Sequence, residues 1–294
     1  LKKGVERRVD DFNAQDLANT AWTFVTAGRS DAPLFEALAR RAEWRVGDFN
    51  AQNLANTAWA FATSGRSDAP LFEALARAAE RRVGNFNPQA LVNTASAFAT
   101  AGRSDALLFS ALARAAEWRV GDFNAQDLAS TAWAFATAGR SAAPLFEALA
   151  RAAEWRVGDF NAQNLANTAW AFATSGWSDA SLFEALARAV ERRVGDFNAQ
   201  DLANTAWAFA TSSRSDAPLF EASARAAERR VGDFSPQELA NTVWAFATAG
   251  RSDASLFEAL AKVAERRVDD FNPQALANTA WAFATSGRSD APLL

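Results

Sequence analysis

The sequence contains no cysteine, histidine, methionine or tyrosine. Without cysteine it has neither a disulfide nor a thiolate ligand, and without histidine it lacks the commonest general base and metal ligand. Lysine occurs only at Lys2, Lys3 and Lys262, and the carboxylates recur as helix-cap and surface residues rather than in one cluster. No phosphate-binding glycine loop or metal-ligand spacing is present. We therefore expect no enzymatic activity, no metal and no cofactor.

Long apolar runs are also missing. No stretch reaches the roughly 18 uninterrupted apolar residues of a membrane-spanning helix, so we expect no membrane insertion. The net charge is −4, which is unlike the basic surface of proteins that bind nucleic acid through bulk electrostatics. Residues 1–11 align with the end of a repeat and Leu294 falls inside a predicted helix. We expect the natural termini, including any targeting segment, to lie outside this stretch.

What the sequence does contain is a repeat of 37 residues, without insertions. It is marked by Phe12, Phe49, Phe86, Phe123, Phe160, Phe197, Phe234 and Phe271. The full repeats are 12–48, 49–85, 86–122, 123–159, 160–196, 197–233 and 234–270, with partial repeats at 1–11 and 271–294. A period of this length is typical of stacked supersecondary units that share one continuous core. We treat residues 1–294 as a single repeat array.

Each repeat reads as two helices, here named A and B. In the repeat 49–85, Asn50 is a favourable N-cap for helix A, and Gly65 can adopt the left-handed conformation that ends it near Ser64. Asp68, with Ser67, caps helix B, which Gly84 is expected to end in the same way. Ser213, Asp10 and Asp269 replace glycine at these positions, and Asp tolerates the left-handed region. The sequence therefore predicts an all-α solenoid of helical hairpins.

Helix A has an apolar stripe formed by Leu54, Ala58 and Phe61, at the spacing of a buried helix face. The opposite side is predicted to expose Asn53, Asn56 and Ala60. Thr57 and Ser64 lie on one shoulder of this side, and Gln52, Trp59 and Thr63 on the other. First helices usually line the concave surface of such arrays, so we expect a partner to lie along this side.

Two positions on this side are the candidate binding residues. The first varies between donors and acceptors, as Asp16, Asn53, Ala90, Asp127, Asn164, Asp201, Glu238 and Ala275. The second is nearly constant, as Asn19, Asn56, Asn93, Ser130, Asn167, Asn204, Asn241 and Asn278. This pattern resembles one RNA base read per repeat by two or three side chains. Two other interpretations remain open: the varying residue stabilises the positive end of helix A, and the constant Asn bonds a backbone group between neighbouring helices.

Arginine follows helix A in nearly every repeat, as Arg29, Arg66, Arg103, Arg140, Arg214, Arg251 and Arg288, and Trp177 replaces it after the fifth helix A. These arginines are candidate phosphate contacts. Alternatively, they bond the carbonyl end of helix A or pair with the nearby Asp.

Tryptophan recurs on helix A, as Trp22, Trp59, Trp133, Trp170, Trp207, Trp244 and Trp281, and Ser96 interrupts the series. We interpret these tryptophans as packing between repeats. Trp44, Trp118 and Trp155 replace an arginine late in helix B. They indicate either contact between solenoid turns or exposed aromatic side chains.

The segment FNPQALANTAWAFAT at 271–285 resembles the octotricopeptide repeat of algal organelle RNA-maturation factors. Related repeats accompany the RAP domain and the FAST-kinase-like mitochondrial RNA proteins. The shared elements recur at Pro88-Gln89, Leu202-Ala203-Asn204 and Trp207-Ala208, although a typical family repeat is one residue longer. The resemblance implies sequence-dependent binding of single-stranded RNA in chloroplasts or mitochondria, for RNA processing, stability or translation.

A scaffold that binds an extended peptide or protein is the alternative function, and it accounts better for the acidic charge. The two functions differ in their expected response to salt, because phosphate contacts weaken steeply as salt rises. The last helix A, 273–286, has no helix B beside it in this sequence. Its apolar side is therefore open, which makes self-association through the ends of the array possible.

Overall fold

The computed structural model describes residues 8–29 and 31–287, and these contain 15 α-helices and no strand. No helix among them is both long and apolar enough to cross a bilayer. The helices are α1 (Ala14–Thr26), α2 (Ala32–Arg45), α3 (Ala51–Thr63), α4 (Ala69–Arg82), α5 (Pro88–Thr100), α6 (Ala106–Arg119), α7 (Ala125–Thr137), α8 (Ala143–Arg156), α9 (Ala162–Thr174), α10 (Ala180–Arg193), α11 (Ala199–Thr211), α12 (Ala217–Arg229), α13 (Pro236–Thr248), α14 (Ala254–Arg266) and α15 (Pro273–Thr285). Odd-numbered helices are A helices and even-numbered helices are B helices.

Two compact units divide the chain, Leu1–Leu149 and Ala150–Leu294, with the division inside α8. In the first unit α1, α3, α5 and α7 pack in series, and in the second α9, α11, α13 and α15 do the same. The B helices follow in a parallel series, and within each unit they pack less closely than the A helices. The predicted class, an all-α solenoid, is confirmed.

The A helices begin and end as predicted. The side chain of Asn50 accepts a hydrogen bond from the backbone N–H of Asn53, which satisfies one of the free donors at the start of α3. At the other end Gly65 has φ +70°, and the N–H of Arg66 bonds the carbonyl of Phe61 at 3.0 Å. Ser213 takes the same left-handed conformation with φ 55°. Residue 65 and its equivalents therefore mark the end of each A helix.

The second glycine has a different role from the one predicted. Helix α4 ends at Arg82, and Gly84 lies inside a 3-10 turn, Val83–Asn85, without a positive φ. Asp10 and Asp269 lie in equivalent turns. Because a 3-10 turn keeps the right-handed backbone of the helix before it, any L residue fits there. The expectation of a left-handed cap at these positions was wrong.

Small side chains allow the A helices to approach each other. Ala58 and Ala60 of α3 are fully buried, and alanine in contact positions lets helix axes come close. Phenylalanine fills the wider space behind them, where a ring on one B helix meets a ring on the A helix of the next repeat edge-on. Phe35 and Phe61 are 5.3 Å apart, and similar pairs are Phe72–Phe98, Phe109–Phe135, Phe183–Phe209, Phe220–Phe246 and Phe257–Phe283.

Arginine at the end of each B helix ties its repeat to the one before. Arg82 donates hydrogen bonds to the carbonyl oxygens of Gly47 and Phe49, in the turn that precedes α3. In the second unit Arg193 makes the equivalent bonds to Gly158 and Phe160, each at 2.6 Å. Hydrogen bonds from a charged donor are stronger than neutral ones. Each of these arginines therefore satisfies carbonyls at the joint between two hairpins.

An apolar hollow of about 430 Å³ lies beside α15, where Ala264, Val268, Phe271 and Leu276 line it. It lies on the side of the last helix that the sequence predicts to be open. Self-association through this side stays a prediction.

We expect Arg82→Ala to lower the free energy of unfolding by about 2 kcal/mol, because hydrogen bonds to a charged donor contribute roughly 1.5–3 kcal/mol. Arg81→Ala is the matched control, since Arg81 is the exposed neighbour on the same helix and makes no hydrogen bond to a described residue. Its effect should stay within about 0.5 kcal/mol. Urea denaturation followed by circular dichroism measures both, and equal effects would contradict the assigned role of Arg82.

Candidate functional site

The A helices expose one narrow strip, which we call the amide–indole face. In α3 it consists of Gln52, Asn56, Trp59 and Thr63, whose spacing of four, three and four residues places them on one side of the helix. Every equivalent residue is exposed or half-exposed. They are Gln15, Gln89, Gln126, Gln163, Gln200, Gln237 and Gln274; Asn19, Asn93, Ser130, Asn167, Asn204, Asn241 and Asn278; Trp22, Ser96, Trp133, Trp170, Trp207, Trp244 and Trp281; and Thr26, Thr100, Thr137, Thr174, Thr211, Thr248 and Thr285.

The exposed side is rotated from the one that the sequence predicts. Asn53 is 8% and Ala60 0% exposed, so two of the three residues predicted at the centre of the binding side are buried, as is Thr57 on its shoulder. The reason is that α3 packs against α1 and α5 on its flanks and against its B helix behind. Three sides of the helix are covered, and the remaining strip is centred on Asn56 and Trp59.

The varying position is the third residue of helix A and takes part in helix capping. Asn53 accepts a hydrogen bond from the N–H of Asn50 at 3.2 Å, and Asp127 accepts one from Asn124 at 3.1 Å. The same reciprocal pair forms at Asp16, Asn164, Asp201 and Glu238, whereas Ala90 and Ala275 leave only the N-cap bond. These side chains therefore stabilise the start of helix A as capping residues. Base reading by this position stays a prediction.

The nearly constant position is free of structural hydrogen bonds. Among the described residues, only Asn241 has a side-chain hydrogen bond at this position, accepted from Gln237 Nε2 at 3.0 Å within the same helix. No bond from Asn56, Asn93 or their equivalents to a neighbouring helix occurs in this part of the chain. The interpretation that these amides join neighbouring helices is not supported. Their donors and acceptors face solvent, where a ligand can reach them.

The loop arginines reach backward to the preceding repeat. Arg103 Nη2 donates to the carbonyl oxygen of Ser67 at 2.5 Å, and Arg251 Nη2 donates to that of Ser215 at 2.6 Å. Equivalent bonds join Arg140 to Ser104 and Arg214 to Ser178. One nitrogen of each guanidinium is thus held by the joint between repeats. Contact with phosphate stays a prediction for these arginines and for Arg29 and Arg66, while Arg288 lies outside the described residues.

The tryptophans of helix A are only partly buried. Trp22 and Trp281 are each 47% exposed, and the rings of Trp244 and Trp281 lie 6.5 Å apart at 33°. Packing between repeats is therefore confirmed for that pair, and each indole also presents surface to solvent. On the B helices Trp44, Trp118 and Trp155 are 75%, 90% and 81% exposed. They are exposed aromatic side chains.

From the sequence, Gln52 and its equivalents are expected to flank the predicted binding side, and no glutamine is among the candidate binding residues. A signal was present, since all eight repeats carry Gln at this position although it is exposed and nothing in the fold requires an amide there. A residue type that is repeated at an exposed position points to function more than to packing.

Two clefts open on the amide–indole face of the first unit, one on each side of α5. The larger, about 640 Å³, is lined by Gln52, Asn56, Gln89 and Asn93. The smaller, about 420 Å³, is lined by Gln89, Asn93, Ser96 and Ser130 together with Asp127. Both present amide groups, and the smaller one also presents the hydroxyl groups of Ser96 and Ser130. Charged residues line them as well, Asp48 and Arg82 in the larger cleft and Asp127 in the smaller. The strip itself, with Gln, Asn, Trp and Thr, offers uncharged hydrogen-bonding groups and indole surface, and no A helix carries Lys or Arg. Within residues 8–29 and 31–287, no group of His, Cys, Asp or Glu could hold a metal ion.

Stacked helical hairpins with a repeated amide and indole surface define an α-helical repeat protein. The family model of RNA-editing substrate-binding complex 6 proteins (RESC6) matches residues 2–117 and 79–290, and the chain belongs to this family. The two matched segments overlap, as a repeated sequence allows. No curated protein matches the chain. Membership gives the chain an RNA-related role, while the octotricopeptide assignment remains a resemblance.

Burial raises the pKa of the Asp201 carboxyl above its ordinary value, and the hydrogen bond from the N–H of Asn198 lowers it by a smaller amount. The folded state therefore holds this proton more tightly than the unfolded chain does. It follows that the contribution of Asp201 to stability falls as the pH rises above 3.8, the ordinary value.

We expect Asp201→Asn to raise the melting temperature at neutral pH, because it removes a buried charge and keeps the capping bonds. Asn53 and Asn164 show that the amide fits this position in other repeats. The gain should shrink below pH 3.8, where the carboxyl is protonated. Asp16→Asn is the control, since Asp16 is exposed. A gain that is equal at both pH values, or equal in both variants, would contradict this account.

Proposed function

We propose that the amide–indole face binds single-stranded RNA, with the bases turned toward the A helices. The observation that carries the proposal is the repeated pair of amides at the positions of Asn56 and Gln52. These amides are not used to hold neighbouring helices together, and a half-exposed indole lies beside them in nearly every repeat. Amides can pair with the hydrogen-bonding edges of unstacked bases, and indoles can stack on their faces. Within each compact unit the A helices pack more closely than the B helices, which favours the inner side of that unit for this face.

Family membership supports an RNA-related role, because the family is described as an RNA-editing substrate-binding complex protein. The same description favours assembly with other proteins. Trp44, Trp118 and Trp155 on the B helices supply large exposed aromatic surfaces of the type that protein interfaces use. We therefore place RNA on the A side and protein partners on the B side. A peptide bound along the A side is the alternative.

The proposed contact is directed at bases more than at phosphates. The A helices have no basic residue, and the loop arginines such as Arg103 give one nitrogen to a neighbouring carbonyl. We also propose that residues at the varying position, for example Asp127, adjust which base is accepted in addition to capping their helix. We further propose a binding role without catalysis and a location in chloroplasts or mitochondria, which the octotricopeptide resemblance implies.

The double variant Asn56→Ala with Asn93→Ala tests the assigned face, because both amides line the larger cleft. We expect binding of a random single-stranded RNA pool to weaken by about tenfold or more, from the loss of roughly 1 kcal/mol for each hydrogen bond. Fluorescence anisotropy with labelled RNA measures the change.

The matched control is Arg77→Ala with Arg114→Ala, which removes two exposed charges from the B helices of the same repeats. It should leave RNA binding nearly unchanged. A larger loss from the arginine variant than from the asparagine variant would place the RNA on the B side. Absence of saturable binding by the unmodified chain would favour the peptide scaffold.

Salt dependence tests the base-directed character. For single-stranded nucleic acid, the logarithm of the affinity falls with the logarithm of the salt concentration, with a slope of about −0.7 for each phosphate contact. A face that contacts few phosphates should therefore give a slope of only about −1 to −2. Anisotropy titrations over a range of salt concentrations measure the slope. A much steeper slope, reduced by Arg66→Ala or Arg103→Ala, would show that the loop arginines hold the phosphates instead.

A further inference from the structure

Helices α4 and α6 belong to consecutive repeats of the first unit, and their sequences of 14 residues differ at only three positions. Helix α6 has Leu107, Ser110 and Trp118 where α4 has Pro70, Glu73 and Arg81. Every buried residue of α4 is identical to its equivalent in α6. A change that served packing would fall on the buried side, so these three changes concern the exposed surface.

The three changed residues lie on one side of α6, which we call the α6 stripe. It consists of Leu107, Ser110, Arg114 and Trp118, and all four are exposed. Each residue of an α-helix is turned by about 100° from the one before, so these four fall within about 80° around the axis. A rise of about 1.5 Å per residue separates Leu107 from Trp118 by about 16 Å, or roughly three turns. The stripe is therefore straight and has the length of a short helix.

Apolar side chains occupy both ends of the α6 stripe. Leu107 is 66% and Trp118 90% exposed, and no other B helix in the described part of the chain exposes two large apolar residues. The six other B helices carry glutamate at the position of Ser110. All three changes in α6 thus replace a charged or less apolar surface by a more apolar or uncharged one. Exposed apolar surface of this type marks a site of interaction.

A positive charge lies between the two apolar ends. In α4 the equivalent arginine, Arg77, has a carboxylate partner, since its Nη1 lies 3.8 Å from Glu73 Oε2. Ser110 removes that carboxylate from α6, and Arg114 forms no ion pair with a described residue. The guanidinium of Arg114 is therefore available to a carboxylate from outside the chain.

These features together favour one type of occupant. A helix laid along the stripe can contact it over its whole length, with apolar anchors separated by whole turns. A second copy of α6 does not fit, because antiparallel pairing of the two stripes would bring two Arg114 side chains close together. Single-stranded RNA fits less well than a helix, because the Leu107 side chain has no aromatic face on which a base could stack.

We propose that the α6 stripe docks one amphipathic helix of another protein. This helix presents two large apolar side chains to Leu107 and Trp118, and a carboxylate to Arg114 between them. The inference deepens the part of the proposed function that places protein partners on the B side, and it rests on that part. Because the other B helices lack this combination, the partner is held at one place along an array of nearly identical repeats.

The probe is a labelled, alanine-based helical peptide of about 18 residues, with leucine at i and i+11 and glutamate at i+4 and i+7. One glutamate then faces Arg114 in either direction of the peptide. Fluorescence anisotropy measures its affinity, and calorimetric titration should give one site per chain. A peptide with glutamine in place of both glutamates should bind about threefold more weakly, as for an exposed ion pair.

The main variant combines Leu107→Pro, Ser110→Glu and Trp118→Arg. It gives α6 the sequence of α4, which the same fold already contains, so the variant is expected to fold. Circular dichroism melting checks this. Peptide affinity should fall by about tenfold or more, because both apolar anchors are lost.

The reverse variant combines Pro70→Leu, Glu73→Ser and Arg81→Trp. It gives α4 the sequence of α6 and should raise the number of peptide sites from one to two per chain. A gain of a site is a result that damage to the fold does not produce.

The outcomes separate this proposal from the RNA proposal. No saturable peptide binding by the unmodified chain, or equal affinity of the unmodified chain and the main variant, would overturn docking on the α6 stripe. Loss of RNA binding in the main variant with peptide binding unchanged would assign the stripe to RNA and would also overturn it. The variant Asn56→Ala with Asn93→Ala should keep peptide binding. A chain that binds the peptide and no RNA would remove the RNA proposal alone.

Discussion

Close contact between consecutive A helices is the constraint on which the other features depend. Small residues such as Ala58, Ala60 and Thr57 are almost completely buried, which lets the A helices approach each other closely. Because two flanks and the back of each A helix are covered, the bulky polar residues can occupy only the remaining strip. The amide–indole face is therefore a product of the packing. Its columns align because every joint between hairpins has the same geometry within its unit.

Local features were predictable from the sequence because each depends on a few neighbouring residues. Asn50 caps a helix and Gly65 ends it through their own backbone and side-chain preferences. The left-handed conformation expected for Gly84 was wrong, because glycine also occurs at positions that need no positive φ. Which side of helix A faces solvent could not be predicted from local residues in the same way. The periodicity of one helix indicates its most apolar side, but it does not reveal how many neighbours the helix has, so Asn53 was assigned to solvent and Gln52 to a shoulder.

The candidate site was partly predictable for the same reasons. Asn56 and its equivalents were identified because a repeated amide on a polar side is visible in the sequence. The partners of Arg82 and Arg103 were not, since their acceptors are main-chain carbonyls of the preceding repeat, which no residue letter encodes. The interruption at Ser96 was visible as a departure from the repeat. The cleft beside it, lined by Ser96, Asn93 and Ser130, is visible only in the fold.

The use of carbonyl acceptors by these arginines has a consequence for how such arrays change over evolutionary time. A main-chain oxygen is present whatever side chain its residue carries, so any hairpin with this turn can follow any other without matched mutations at the joint. Unequal recombination can then add or delete whole hairpins while the chain still folds. The length of the binding surface and the identity of its exposed residues can therefore diverge separately, the first by duplication and the second by point mutation.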